Sequence, residues 1–192
     1  MPAYVPDADL IFVLAGLETR KVYGLQLLRQ ERARGILLSV GRYEIWRLSN
    51  LDLPVPIDLL EIAAPIPPPL RHYFVFFRGA TVHTEQITLG RFGTWSEIHN
   101  LASWLRKHSE ARSVLIISSG SHLPRIRLCS RALLPPEWNV QFLPSPEPEP
   151  QTSRKFWSRQ LESEKAKLIE YLKLLLYQVV VRLPQRDVRA WK

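Results

Sequence analysis

Residues 9–41 most constrain what this chain can fold into. Asp9-Leu-Ile-Phe-Val-Leu14 is a short apolar run that closes on Ala15-Gly16, and Ile36-Leu-Leu-Ser-Val40 is a second one that closes on Gly41. Short apolar runs of this kind, bounded by glycine, read as buried strands. Between them Val22, Leu25 and Leu28 recur at three-residue spacing, with Arg29, Arg32 and Arg34 outside that stripe and Gly35 breaking the helix. Strand, helix and strand in immediate succession form a βαβ unit, which requires parallel strands and a right-handed crossover.

The rest of the chain extends this pattern. Prolines at 54, 56, 65, 67, 68 and 69 punctuate short apolar pieces, which predicts an insertion with one or two short helices over one sheet edge. His72–Phe77 and Thr84–Leu89 read as strands, the latter pointing into Gly90. Trp95, Ile98, Leu101, Ala102 and Leu105 form an apolar stripe and predict a helix over Thr94–Lys107. Ser113–Ser118 reads as a strand, Ile126, Cys129 and Leu133 mark a helix that stops at Pro135-Pro136, and Asn139–Leu143 reads as a last strand. The sequence therefore predicts an α/β fold, a three-layer Rossmann-like domain with a mainly parallel sheet over residues 1–150, in which 42–86 form an insertion or lid. A stiff connector, Pro144–Pro150, leads to residues 151–192, read as a basic amphipathic C-terminal helix packing on the same domain. Its packing face is read as Leu161, Leu168, Leu172, Leu175, Leu176 and Val179.

Composition bounds the function classes. The chain has 192 residues, 46% apolar and 23% charged, which suits one folded domain and argues against disorder. The lone cysteine, Cys129, excludes an intrachain disulfide and a cysteine-based zinc cluster. Met1–Asp9 carries neither a basic nor a long apolar signal region, and the apolar stretch Leu168–Val181 falls short of the ~20 residues a membrane span needs. These features predict a cytoplasmic protein, with peripheral contact at the inner membrane as the alternative. Net charge is +8, and residues 151–192 hold ten Lys/Arg and four Asp/Glu, a net +6. That excess fits a solvated helix face or an anionic lipid surface. No nucleic-acid module is present, and no nucleic-acid partner is expected.

Ligands of such sheets bind beyond the carboxyl ends of the strands. Ser118-Ser-Gly-Ser-His-Leu-Pro-Arg125 follows a strand and opens a helix, so its amides, the His122 imidazole and the Arg125 guanidinium suit an anion. A purely structural reading has Ser121 capping that helix. Gly90-Arg-Phe-Gly-Thr-Trp-Ser-Glu97 contains a Thr94-x-x-Glu97 capping box. The functional alternative turns Thr94 and Glu97 into the crevice, with Arg91 nearby for an anion. Gly16 would let a ligand approach the backbone, although the glycine triplet of a dinucleotide fingerprint is missing. None of the five histidines stands at metal-ligand spacing with another, so no metal is expected; His99 and His108 are read as exposed.

In order along the chain, several segments resemble one family. Asp9–Gly16 resembles the first strand of YdcF/SanA/ElyC-like bacterial proteins, and Arg20 with its helix resembles their first helix. Ile36–Gly41, Gly93–Glu97 and Ser118–Arg125 look like their second strand, their Asn-Thr-aromatic-Glu segment and their Thr-Ser-x-x-His-Met-x-Arg segment. Phe156-Trp157 and Leu168–Lys173 look like the aromatic and Glu-x-x-Lys pattern that closes many members. Ala15 and Leu17 stand where the family carries glycines, and Gly93 where it carries asparagine.

The resemblance implies a Rossmann-like fold and links to S-adenosylmethionine binding and to envelope or lipid-carrier metabolism, without a settled reaction. It also implies a pocket. The expected ligand-binding residues are Gly16, Arg20, Ser39, Gly41, Arg91, Thr94, Ser118, Ser119 and Arg125, with His122 and Glu97 as the proton-transfer candidates. The expected ligand is an anionic or nucleotide-like small molecule. The alternative is a non-enzymatic, envelope-associated interaction protein that uses its basic C-terminal helix.

Overall fold

A computed structural model describes residues 8–108, 111–146 and 156–182, with the main chain alone for 156–167. Six strands form one sheet: β1 (Ala8–Val13), β2 (Ala33–Val40), β3 (Tyr73–Arg78), β4 (Thr81–Gln86), β5 (Ser113–Ser118) and β6 (Asn139–Pro144). Their order is β4-β3-β2-β1-β5-β6. β2, β1, β5 and β6 run parallel. β3 and β4 form an antiparallel hairpin that extends the β2 edge. The sheet is thus mixed and mostly parallel, consistent with a Rossmann-like architecture. The segment read as a lid contributes two of its strands.

Side-chain alternation makes two cores. Leu10, Phe12 and Leu14 of the first strand region, with Leu37, Phe74, Val114 and Ile116, face one layer. Ile11, Val13, Ile36, Leu38, Val40, Val75, Phe77, Leu115 and Ile117 face the other. The first layer is covered by α4 (Gly93–Lys107), α5 (Leu123–Leu133) and the end of α6 (Phe156–Arg182). The second is covered by α1 (Glu18–Arg29), α2 (Ile45–Leu48) and α3 (Leu59–Ala63). The proline-punctuated insertion therefore lies on a sheet face, because Ile45, Leu48, Leu51, Leu59 and Ala63 need apolar neighbours that an edge does not offer.

Three sequence expectations are corrected here. α1 ends at Arg29, and the chain turns through Glu31 at φ 57°, so Gly35 lies inside β2 and does not break the helix. The buried side of α1 is Arg20, Lys21, Gly24, Leu25 and Leu27, while Val22 is exposed. Gly24 sets this rotation: a Cβ there would stand 2.6 Å from Val13 Cγ2, so only a bare backbone seats so close to the sheet. His108 is half-buried, stacked on Trp104 at 3.9 Å, and His99 is half-buried too.

α6 departs most from its expected packing. Tyr177 and Val180 are buried and Glu170, Leu174 and Val181 half-buried, whereas Leu168, Leu172, Leu175, Leu176 and Val179, read as the packing face, point outward. Leu161, the connector from residue 147 and the chain after 182 lie outside the described side chains.

Candidate functional site

β1 has β2 on one side and β5 on the other, so the chain reverses direction of sheet growth between β1 and β5. The two loops leaving their carboxyl ends part there and leave a crevice, the usual ligand position of parallel sheets. Arg20, in the first turn of α1, reaches back across it. Its Nη1 donates to the Ala15 carbonyl at 2.8 Å, and its Nη2 donates to Ser119 Oγ and to His122 Nδ1, the latter at 3.1 Å. Gly16 makes room for this guanidinium. It sits at φ 128°, and a Cβ would lie 2.8 Å from Arg20 Nη1.

Three carboxylates organise what surrounds this centre. Glu97 is only 6% exposed, and its Oε1 accepts from the Ala15 amide at 3.0 Å and from Ser39 Oγ at 2.6 Å. Glu44 accepts from the Gly16 amide at 2.7 Å, the Gly41 amide at 2.8 Å and buried Lys21 Nζ at 2.8 Å. The carboxylate of Glu170, from α6, accepts from Arg125 and from Lys173, the latter at 2.9 Å, and lies 3.5 Å from His122 Nε2. Arg125 is itself buried. Its Nε donates to Thr94 Oγ1 at 3.1 Å, its guanidinium lies 5.4 Å from the Tyr177 ring centre, and the Tyr177 side chain hydrogen-bonds Thr94.

The structure thus brings together Gly16, Arg20, Ser119 and His122, and beside them Thr94 and Arg125. Ser39 and Glu97 meet beneath the β1–α1 loop, and Gly41 joins it through Glu44. Ser118 is fully buried at the end of β5, with no hydrogen-bond partner for its Oγ among the described residues. Arg91 is exposed ahead of α4 and hydrogen-bonds to none of these residues.

The capping box is not formed. The residue preceding α4 is Phe92, with no side-chain cap, and Thr94 and Glu97 turn inward as the functional alternative has it. The reason is demand. The buried Ser39 hydroxyl must be satisfied by protein, and the half-buried Ala15 amide shares the same carboxylate, whereas amides of an open first turn can bond water. Ser121 does not cap α5 either; it lies in the 3-10 turn Gly120–His122 that precedes it.

Gly16 also differs from expectation. Its amide faces the chain's own Glu44, not an open approach for a ligand. Lys21, Glu44 and Glu170 are the residues that sequence reasoning missed. Only Glu170 carried a signal, its Glu-x-x-Lys spacing to Lys173. Lys21 and Glu44 look like ordinary surface charges until the fold closes over them.

Protonation states follow from these surroundings. Arginine can only donate, so His122 Nδ1 is the acceptor from Arg20 and the neutral ring carries its proton on Nε2, toward Glu170. Burial lowers the His122 pKa, and Arg20, Arg125 and Lys173 add to this against the pull of Glu170. Burial would raise Glu170, but Lys173, Arg125 and His122 outweigh it and hold the carboxyl below its ordinary range. Burial pushes Glu97 up despite its hydrogen bonds from Ser39 and Ala15. The arrangement can hold negative charge on Arg125, Arg20 and Lys173 and offers one neutral imidazole whose Nε2–H can donate a hydrogen bond to an anion. Glu97, buried under the loop, braces it. Cys129 is buried, with its thiol pushed up to about 12, and is chemically inert. No cluster of metal-ligating side chains occurs among the described residues.

A cleft of about 200 Å³ opens beside Glu170, lined by Ser121, Pro124, Arg125, Tyr171 and Leu174. No protein-family model, curated protein or solved structure matches the chain.

Proposed function

We propose that this chain is a YdcF-like protein that binds the anionic group of a small molecule, a phosphate or a carboxylate, at the rim between β1, β5 and α6. One observation carries the reading: the rim already holds a carboxylate. Glu170, delivered by a helix from outside the sheet, rests on Arg125 and Lys173 with His122 within 3.5 Å. A set of groups that holds one carboxylate suits another anion of the same geometry, so a ligand would exchange with Glu170. The adjoining cleft, about 200 Å³, lies below the roughly 300–1,000 Å³ that drug-sized ligands fill. It suits an anionic head group whose remainder extends outward. By this measure a lipid-carrier phosphate in envelope metabolism fits the present shape better than a whole S-adenosylmethionine.

His122 is assigned to holding the anion by a hydrogen bond. It is half-exposed and in contact with the cationic centre, and its neutral ring can donate a hydrogen bond from Nε2 to a bound oxyanion, while the Nδ1 lone pair that a general base would need accepts from Arg20. Calorimetric titration with pyrophosphate, a short-chain polyprenyl phosphate and S-adenosylmethionine tests the proposal. Binding of the phosphates, weakened about tenfold or more by His122→Ala, is expected, since hydrogen bonds to charged groups contribute about 1.5–3 kcal/mol. Absence of heat for all three ligands contradicts it.

A further inference from the structure

α6 presents apolar residues on both sides, and among the described residues only one side is covered. Tyr177 and Val180 are buried against α4 and α5. On the opposite side Leu168, Ile169, Tyr171, Leu172, Leu175, Leu176 and Val179 are each 42 to 59% exposed. At 100° per residue these seven positions fall within about half the helix circumference and form one continuous apolar surface. Helices apolar all round are normally covered all round, so this face is built for an occupant.

Charge identifies the occupant. Residues 151–192 carry a net +6 of the chain's +8. Two copies pairing through α6 would bring like charges of that size together, which opposes association. An anionic surface gains from the same charge. No described helix is long and apolar enough to cross a membrane, so the helix would lie along the surface and not span it. We propose that the outer face of α6 docks the protein on a bilayer rich in anionic lipid, with the apolar side chains entering the head-group boundary and the basic residues of the tail meeting the lipid charge. Apart from Tyr171, which also lines the cleft, the docking face uses other residues than the anion site: Glu170 and Tyr177 face the other way.

The test is co-sedimentation of the full chain with vesicles of phosphatidylcholine alone and of phosphatidylcholine with about 30% phosphatidylserine, a roughly physiological anionic load. Wild type is expected to bind the anionic vesicles, to bind neutral ones at least about tenfold more weakly, and to release as salt rises. The double variant Leu172→Asp/Val179→Asp, with both positions exposed, is expected to keep the wild-type melting temperature and to lose about tenfold or more of its vesicle affinity. Equal vesicle binding by the variant overturns the proposal, because charge alone would then suffice. A lipid-free wild-type dimer that the variant makes monomeric overturns it in favour of a second copy. A large fall in melting temperature overturns it in favour of a cover from the chain itself.

Discussion

Gly16 and Glu97 show how much of this rim is held by individual atoms. Gly16→Ala would put a Cβ in a left-handed backbone position and against Arg20 Nη1, so a loss of about 1–3 kcal/mol is expected in chemical denaturation. Glu97→Gln keeps an acceptor for Ala15 and Ser39 and should cost little, whereas Glu97→Ala strands both donors and should cost about 2–4 kcal/mol. The pH dependence separates the two roles of this carboxyl. Because the folded pKa is raised, the contribution of Glu97 is full below its ordinary value of 4.5 and is lost as pH rises through the folded pKa. Stability of Glu97→Gln relative to wild type is therefore expected to improve from acid toward neutral pH; a constant difference would contradict a buried, raised carboxyl. These details were only partly legible in the sequence. Ser119, His122 and Arg125 announce themselves by following an apolar strand. Glu44 and Lys21 do not, because a surface-like charge becomes a buried partner only through contacts made far along the chain.

The elements teach the same distinction between local pattern and tertiary demand. β1, β2 and β5 are apolar because both faces are covered, and that run is visible in the sequence. The hairpin of β3 and β4 was half visible: the two-residue turn Gly79-Ala80 between Arg78 and Thr81 marks it, but the boundaries read from the sequence began β4 three residues late. α6 misled more deeply. A helix with leucines on most sides has no unique apolar stripe, and the side that packs is chosen by Tyr177, Val180 and Glu170, which have specific partners on α4 and α5. Removing such a partner should undock the helix. Tyr177→Ala, at a buried aromatic, is expected to cost about 3–5 kcal/mol and to raise amide exchange in residues 168–182 first. Uniform loss of protection across the sheet would instead show that α6 is integral to the domain.

Across the molecule, the two halves of the sheet do different things. The antiparallel edge and α2–α3 complete the core, while the parallel part opens its carboxyl end as the crevice that the βαβ pattern of residues 9–41 predicts. Convergence there of Gly16, Arg20, Thr94, Ser119, His122 and Arg125 from three separate stretches was readable because order along the chain and strand direction fix it. What filled the crevice was not readable, because Glu170 arrives from α6, beyond the Pro-rich connector. Acid should loosen that closure. The folded pKa of His122 is depressed from 6.5, so its contribution is present above that value and is lost as pH falls through the folded pKa. Glu170, depressed from 4.5, is lost in the same direction at lower pH. Stability is expected to fall in these two steps on acidification, with the first step absent in His122→Gln.

The affinity of pyrophosphate for Glu170→Gln beside wild type reads the occupancy of the rim directly. Neutralising Glu170 removes the internal competitor while leaving Arg20, His122, Arg125 and Lys173 in place, so binding is expected to tighten by about tenfold, the equivalent of about 1.4 kcal/mol. Unchanged or weaker binding by the glutamine variant would contradict an exchange between the helix carboxylate and an external anion.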